Sequence, residues 1–229
     1  METDKKKNFL TSILDIRDKR LFLRRTVICF IGVFGMGFFL SFLIMTEFGT
    51  DPCTFMNLAI SSKLGLSLGN WQVLLNSVLL ILVIILSRKL IGLGTLFNMV
   101  LIGYYADFFR WLWRKIIPES AFTDMPVRAV IFAVALIGFI ISAAVYMKSE
   151  SGVAPYDAIA QILADHLPTP FFLSRMIFDF SAILIGVLAG ARPSIGHIFM
   201  AFGLGPVISI VGKIMGRFVG AHEASEPKS

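Results

Sequence analysis

Residues 47–52, Glu-Phe-Gly-Thr-Asp-Pro, and residues 150–155, Glu-Ser-Gly-Val-Ala-Pro, repeat one pattern at an offset of 103 positions. Glycine lets the backbone turn sharply, and proline suits the first position of a helix. Each stretch follows a long apolar run and precedes a short one. Each therefore reads as a helix that breaks off and restarts. Further out at the same offset, Gly35 meets Gly138 and Asn76 meets Asp179. One residue then drops out, and Gly94 meets Gly196, Phe97 meets Phe199 and Gly103 meets Gly205. Collinear matches of this kind mark a duplicated unit of about 100 residues.

The segments 27–45, 71–87, 95–113, 127–147, 171–189 and 195–215 have the length and apolarity to cross a hydrocarbon core of roughly 30 Å. Two shorter stretches, 52–64 and 155–167, are helix-like but too short to span. The expected fold is an all-α membrane protein with six transmembrane helices and two short broken or re-entrant helices. Three crossings per unit is an odd number, so the second unit would enter the membrane upside down as an inverted structural repeat. The expected organisation is a basic amphipathic cytoplasmic arm over 1–25, repeat units over 26–117 and 118–218, and a disordered tail over 219–229.

Composition excludes the main alternatives. Apolar residues make up 56% and charged residues 16%, and mean hydropathy is +0.80. Soluble domains hold about 45–50% and about 25%. A water-soluble enzyme or a nucleic-acid-binding domain needs far more polar surface, so neither fits. The net charge of +6 comes largely from the N-terminal arm, which suits an anionic cytoplasmic leaflet. With both termini inside, 15 of the 21 Lys and Arg residues fall on the cytoplasmic side. The positive-inside rule then places the N- and C-termini in the cytoplasm. The first apolar run is long enough to span and is followed by no small-x-small cleavage site, so it reads as a retained anchor. Cys29 lies within that run, so no disulfide framework with Cys53 is expected.

Ionisable residues inside apolar spans are costly and point to function. Arg175 and Asp179 are four apart, so they share a helix face and can pair. Asp179 also stands in repeat register with Asn76. Asp107 shares the third span with Asn98. The structural alternative for all of these is an ion pair or hydrogen-bond clamp between helices. Free N–H groups at Asp51–Cys53 and Ala154–Tyr156, behind Pro52 and Pro155, would line a central site, with Asp157 just inside the second short helix. Broken helices of inverted-repeat transporters hold anionic groups in this way; the plain alternative is an interfacial helix that turns the chain round. Gly92-Leu93-Gly94-Thr95 and Ser194-Ile195-Gly196-His197 read as helix starts, with Thr95 as an N-cap, or as close-packing glycines. His197 is a candidate proton relay or a hydrogen-bonded structural group. Glu47 and Glu150 end their helices, Gly205-Pro206 would bend the last one, and the tryptophans suit an interfacial belt.

The stretches Gly49-Thr-Asp-Pro52, Gly92-Leu-Gly-Thr-Leu-Phe-Asn98, Gly152-Val-Ala-Pro-Tyr-Asp157 and Ile195-Gly-His-Ile-Phe-Met-Ala-Phe-Gly-Leu-Gly-Pro206 together resemble the bacterial YczE/YyaS/YitT-type integral membrane proteins. The resemblance covers roughly residues 26–215. It departs at His197, where threonine would match Thr95, and at Ala154, where glycine is usual. It implies a cytoplasmic-membrane location and a repeat architecture, with no particular activity attached.

Walker-type, metal-spacing and Gly-x-Ser-x-Gly motifs are absent, so neither ATP hydrolysis, metal catalysis nor another enzymatic activity is expected, and no cofactor or metal. The expected function is secondary transport of a small polar or anionic solute. Asp51, Pro52, Asn76, Asn98, Pro155, Asp157, Arg175 and Asp179 would bind it, and Asp179, Asp107 and His197 would serve coupling. The alternative is a membrane scaffold or regulator acting through a protein partner. The lipid bilayer is the expected surrounding, a homodimer is compatible, and nucleic acid is not a partner.

Overall fold

The computed structural model describes residues 19–166 and 171–203, which form helices α1 (Lys19–Thr46), α2 (Pro52–Leu64), α3 (Leu68–Leu86), α4 (Leu93–Ile116), α5 (Ser120–Thr123), α6 (Met125–Lys148), α7 (Pro155–His166) and α8 (Phe171–Leu188). A 3₁₀ turn at Arg88–Leu90 precedes α4, and residues 195–203 are again helical. Among the described residues there is no strand. Helices α1, α3 and α6 are each long and apolar enough to cross a membrane. Their outward faces carry large apolar side chains, such as Ile31, Ile85 and Val134. Such a surface needs an acyl-chain surrounding, and the chain is a membrane protein.

Most boundaries follow local chemistry. Pro52 opens α2, and the Asp51 carboxylate accepts the Thr54 N–H at 2.9 Å. Gly65 closes α2 in the left-handed region, with φ 67°. Ser67 caps α3 through the Asn70 N–H. At α4 the expectation needs correction: Gly92 is the N-cap, and the Thr95 hydroxyl reaches back to accept the Gly92 N–H at 3.0 Å. The arm also differs, because residues 19–25 continue into α1 without interruption. Lysine, arginine and leucine are good helix formers, and no glycine or proline stands there to stop the helix. The rest of the arm, Gly205-Pro206 and the tail over 219–229 lie outside the described residues.

Helices α1 and α6 pack antiparallel along their length. Gly32 lies against the Tyr146 backbone, Gly35 against Ser142, and Gly138 against the Phe39 ring. Small residues let membrane helices approach this closely. The two ends of the seam are closed by reciprocal ion pairs. Arg25, near the start of α1, meets Glu150 just past α6 at 2.8 Å. Arg128, near the start of α6, meets Glu47 just past α1 at 3.7 Å and donates Nε–H to the Thr46 carbonyl.

Reversing the exposed pair with Arg25→Glu should cost under about 1 kcal/mol and be relieved by adding Glu150→Arg. Arg128→Ala also strips a bond from a helix-ending carbonyl and should cost more, about 1–3 kcal/mol. Unfolding midpoints in detergent would check the order, and a milder Arg128→Ala would mean that the helix-end bond contributes nothing.

On the other side of α1, helix α4 lays down an aromatic row. Phe38 packs edge-on against Phe109 and Trp113, and Trp113 stacks on Phe42 at 4.9 Å. The Trp113 indole N–H donates to the Ser41 hydroxyl at 2.9 Å. Trp113 therefore takes part in helix packing. Trp71 is similarly engaged, donating to Asn57 at 3.0 Å. The short helices cross between halves: α2 packs on α8, and α7 packs on α3.

Candidate functional site

Each helix break is built from a left-handed turn. Glu47 and Glu150 have φ of 53° and 49°, followed by Gly49 at 148° and Gly152 at 108°. Each turn seats on the glycine-rich helix start of the opposite half. The Ser151 carbonyl accepts the Gly94 N–H at 2.6 Å, and the Leu90 carbonyl accepts the Val153 N–H at 2.9 Å. In the other break, Ser194 donates its hydroxyl to the Phe48 carbonyl, while Gly49 lies against Gly196 and the His197 backbone. Backbone polar groups freed by breaking a helix in a membrane must find such partners. The glycines of both helix starts thus serve close packing.

Beyond the breaks, the two short helices aim their first turns at one cluster. Asp157, in the first turn of α7, accepts from Arg175 Nη1 at 2.6 Å. Arg175 Nε donates to Asp179 one turn later on α8, at 3.0 Å. The Tyr156 hydroxyl donates to the second oxygen of Asp179, also at 3.0 Å, and its ring lies 5.5 Å from the guanidinium. Asp179 is 4% exposed. Asp51 and Cys53, at the start of α2, are close enough to Arg175 and Asp157 to interact with them electrostatically. Two carboxylates therefore share one guanidinium, with Asp51 nearby, and the cluster carries a formal surplus of negative charge. Among the described residues, no group of His, Cys, Asp and Glu side chains is arranged to hold a metal ion.

The other expected residues fall into two sets. Pro52 and Pro155 are fully buried at the short-helix starts. Asn76 is buried on α3, one turn after Gln72. At the repeat offset, Gln72 and Asn76 occupy on α3 the positions of Arg175 and Asp179 on α8, a neutral version of the charged pair. Gln72 Oε1 is buried with no hydrogen-bond partner among the described residues. Asn98 is buried on α4. Asp107 accepts the Gly69 N–H at 2.7 Å and pairs with Arg110 at 3.5 Å, so its carboxylate caps the start of α3. His197 Nδ1 accepts the Ser194 N–H at 2.9 Å, and its ring packs on Phe55 with centroids 4.4 Å apart.

Sequence reasoning alone did not bring out the bond from Tyr156 to Asp179, the pairing of Asp157 with Arg175, or the Trp71–Asn57 bond. Tyr156 stands beside Pro155 in a recognisable motif, which was the available signal. The Asp157–Arg175 pair joins two helices and leaves no mark in helical periodicity.

The family of unknown function DUF6198 matches residues 23–213. The chain is 26% identical over 170 residues to the uncharacterized protein YyaS of Bacillus subtilis (strain 168), covering 72% of this chain and 81% of that protein. It is 25% identical over 117 residues to the uncharacterized membrane protein YczE of the same strain, covering 51% and 52%. An uncharacterized protein of Haemophilus influenzae is 24% identical over 176 residues, covering 76% and 77%. No solved structure matches. The resemblance carried by the glycine and proline motifs is met at the level of the whole helical region.

Proposed function

We propose that this chain, which belongs to the DUF6198 family of unknown function, is a secondary transporter of a small polar or anionic solute in the bacterial cytoplasmic membrane. The observation that carries the reading is the convergence of two short helices, one from each half, on the Arg175 cluster, whose Asp179 is buried. Charges held at membrane depth are expensive and mark ion or proton pathways. The surplus of carboxylates assigns this cluster to the coupling cation, with Asp179 as its main acceptor and Arg175 as the group that holds it. The solute is not an anion bound at the start of α2, because the Asp51 carboxylate already takes the Thr54 N–H there.

The reading includes six crossings, two inverted units and both termini in the cytoplasm. It is supported by the antiparallel α1–α6 seam with its reciprocal ion pairs, the exchange of short helices between halves, and the Lys and Arg distribution. Asn76 and Gln72 would then be the uncharged counterpart of the coupling pair.

Proteoliposomes with an imposed inward proton gradient test the coupling. Wild-type vesicles should accumulate solute from pools of labelled carboxylates, amino acids and other small polar compounds. Asp179→Asn should fold and accumulate no more than empty vesicles. Wild-type accumulation by that variant would end the coupling role of Asp179.

A second reading draws on a specific observation. Neither the open cavity beside α8 nor the one between α1, α2 and the turn after α8 is lined by Arg175, Asp157 or Asp179. A guanidinium already engaged by two carboxylates suits a membrane scaffold that acts through a protein partner. Failure of wild-type vesicles to accumulate any pool would favour it.

A further inference from the structure

A cavity of about 650 Å³ opens between the end of α1, one face of α2 and the turn that follows α8. Its size falls within the range of small-molecule sites. The inner wall is largely apolar, with Leu43, Phe55 and Leu58, and the buried His197 ring sits among them. Lys63 and Arg192 also line it, and neither has an ion-pair partner among the described residues. The acidic lining residue, Glu47, is held by Arg128. Asp51, at the start of α2, is close enough to His197 to act on it electrostatically.

We infer that this cavity is a binding site for a small carboxylate with an apolar body. Two unpaired cations attract one anionic end, and a guanidinium matches a carboxylate with two parallel N–H donors. The apolar wall receives the body of the ligand. Asp51 repels an anion from the inner end and so sets the orientation, carboxylate toward Lys63 and Arg192, apolar body toward Phe55. A fully polar anion would leave the apolar wall unused, and an amine would meet two like charges.

The role as an entry site rests on the transport reading, because Asp51 links this cavity to the Arg175 cluster; binding itself does not. The test uses the purified full-length chain in maltoside micelles, with benzoate as the probe and empty micelles as the blank. Benzoate should bind saturably, and benzamide and benzylamine should bind at least about tenfold more weakly. Lys63→Gln combined with Arg192→Gln changes two exposed side chains and should leave the protein monodisperse while weakening benzoate binding by about tenfold or more. Asp179→Asn should bind benzoate within about threefold of the parent, since its side chain lies outside the cavity. Equal binding of benzamide, unchanged binding by the double variant, or no saturable benzoate signal would overturn the assignment. Loss of benzoate in Asp179→Asn would overturn it too, by moving the site to the charged cluster. Retained benzoate binding in a protein whose vesicles accumulate nothing would end the transport reading and leave the cavity site standing.

Discussion

Replacing Arg175 by methionine is expected to destabilise the protein by about 2–3 kcal/mol, mainly the cost of leaving the buried Asp179 carboxylate without its charged partner, the half-exposed Asp157 adding little. The guanidinium bridges Asp157 at 2.6 Å and Asp179 at 3.0 Å, and Asp51 also lies within its field. Without it, mutually repelling carboxylates remain, and among the described residues the Tyr156 hydroxyl is left as the donor to Asp179. Arg175→Lys should fall between parent and methionine. An ammonium keeps the charge but cannot reach both carboxylates in the fixed fork of a guanidinium. Adding Asp157→Asn and Asp179→Asn to Arg175→Met should restore much of the loss, because the stranded charges are then gone. Unfolding midpoints of the purified variants in one detergent would give the order. A methionine variant as stable as the parent would show that the carboxylates carry no charge in the folded protein, and the coupling role would fall with it.

Gly152→Ala should be comparably severe, costing about 3 kcal/mol or more, for a reason unrelated to charge. At φ 108° the backbone already lies where side chains are strained. An added Cβ would also run into the Gly92 backbone nitrogen and come within 2.6 Å of the Thr95 hydroxyl. Those two atoms form the bond that starts α4. Gly65 supplies the control. Its φ is 67°, but nothing lies within 4 Å of the added atom, so Gly65→Ala should lose only the left-handed strain of about 1–2 kcal/mol. Gly49→Ala should behave like Gly152→Ala, since its Cβ would sit 2.6 Å from the Gly196 and His197 backbone. Expression level and unfolding midpoint report both effects. Equal midpoints for Gly152→Ala and Gly65→Ala would mean that the two halves do not press together at this break.

The short helices were legible because their signals are local. Proline at the first position, an aspartate cap and a preceding glycine all lie within four residues of one another, and α2 and α7 begin at Pro52 and Pro155. The Arg175–Asp179 pair was legible for the same reason, since four residues make one helical turn. Asp107 shows where that reasoning stops. A carboxylate on a spanning helix looks like a coupling group until α3 is seen to start beside it, 38 positions away in sequence. Trp113 reads as an interface anchor until α1 brings Phe42 and Ser41 to its faces. His197 changes meaning twice, first as a packed ring tied to Ser194 and then as part of a cavity wall.

By itself, the sequence determined what short-range physics controls: an apolar helical chain for a membrane, its two breaks, and the prolines and Asp51 cap with which the short helices restart. Tertiary structure alone decided which charges meet. Asp157 reaches Arg175 across two helices, Arg25 reaches Glu150 across 125 positions, and Lys63 and Arg192 come to one cavity without partners. Hydropathy and capping act along a few residues of chain, whereas these encounters depend on how helices pack, and packing depends on the shape of every side chain between them.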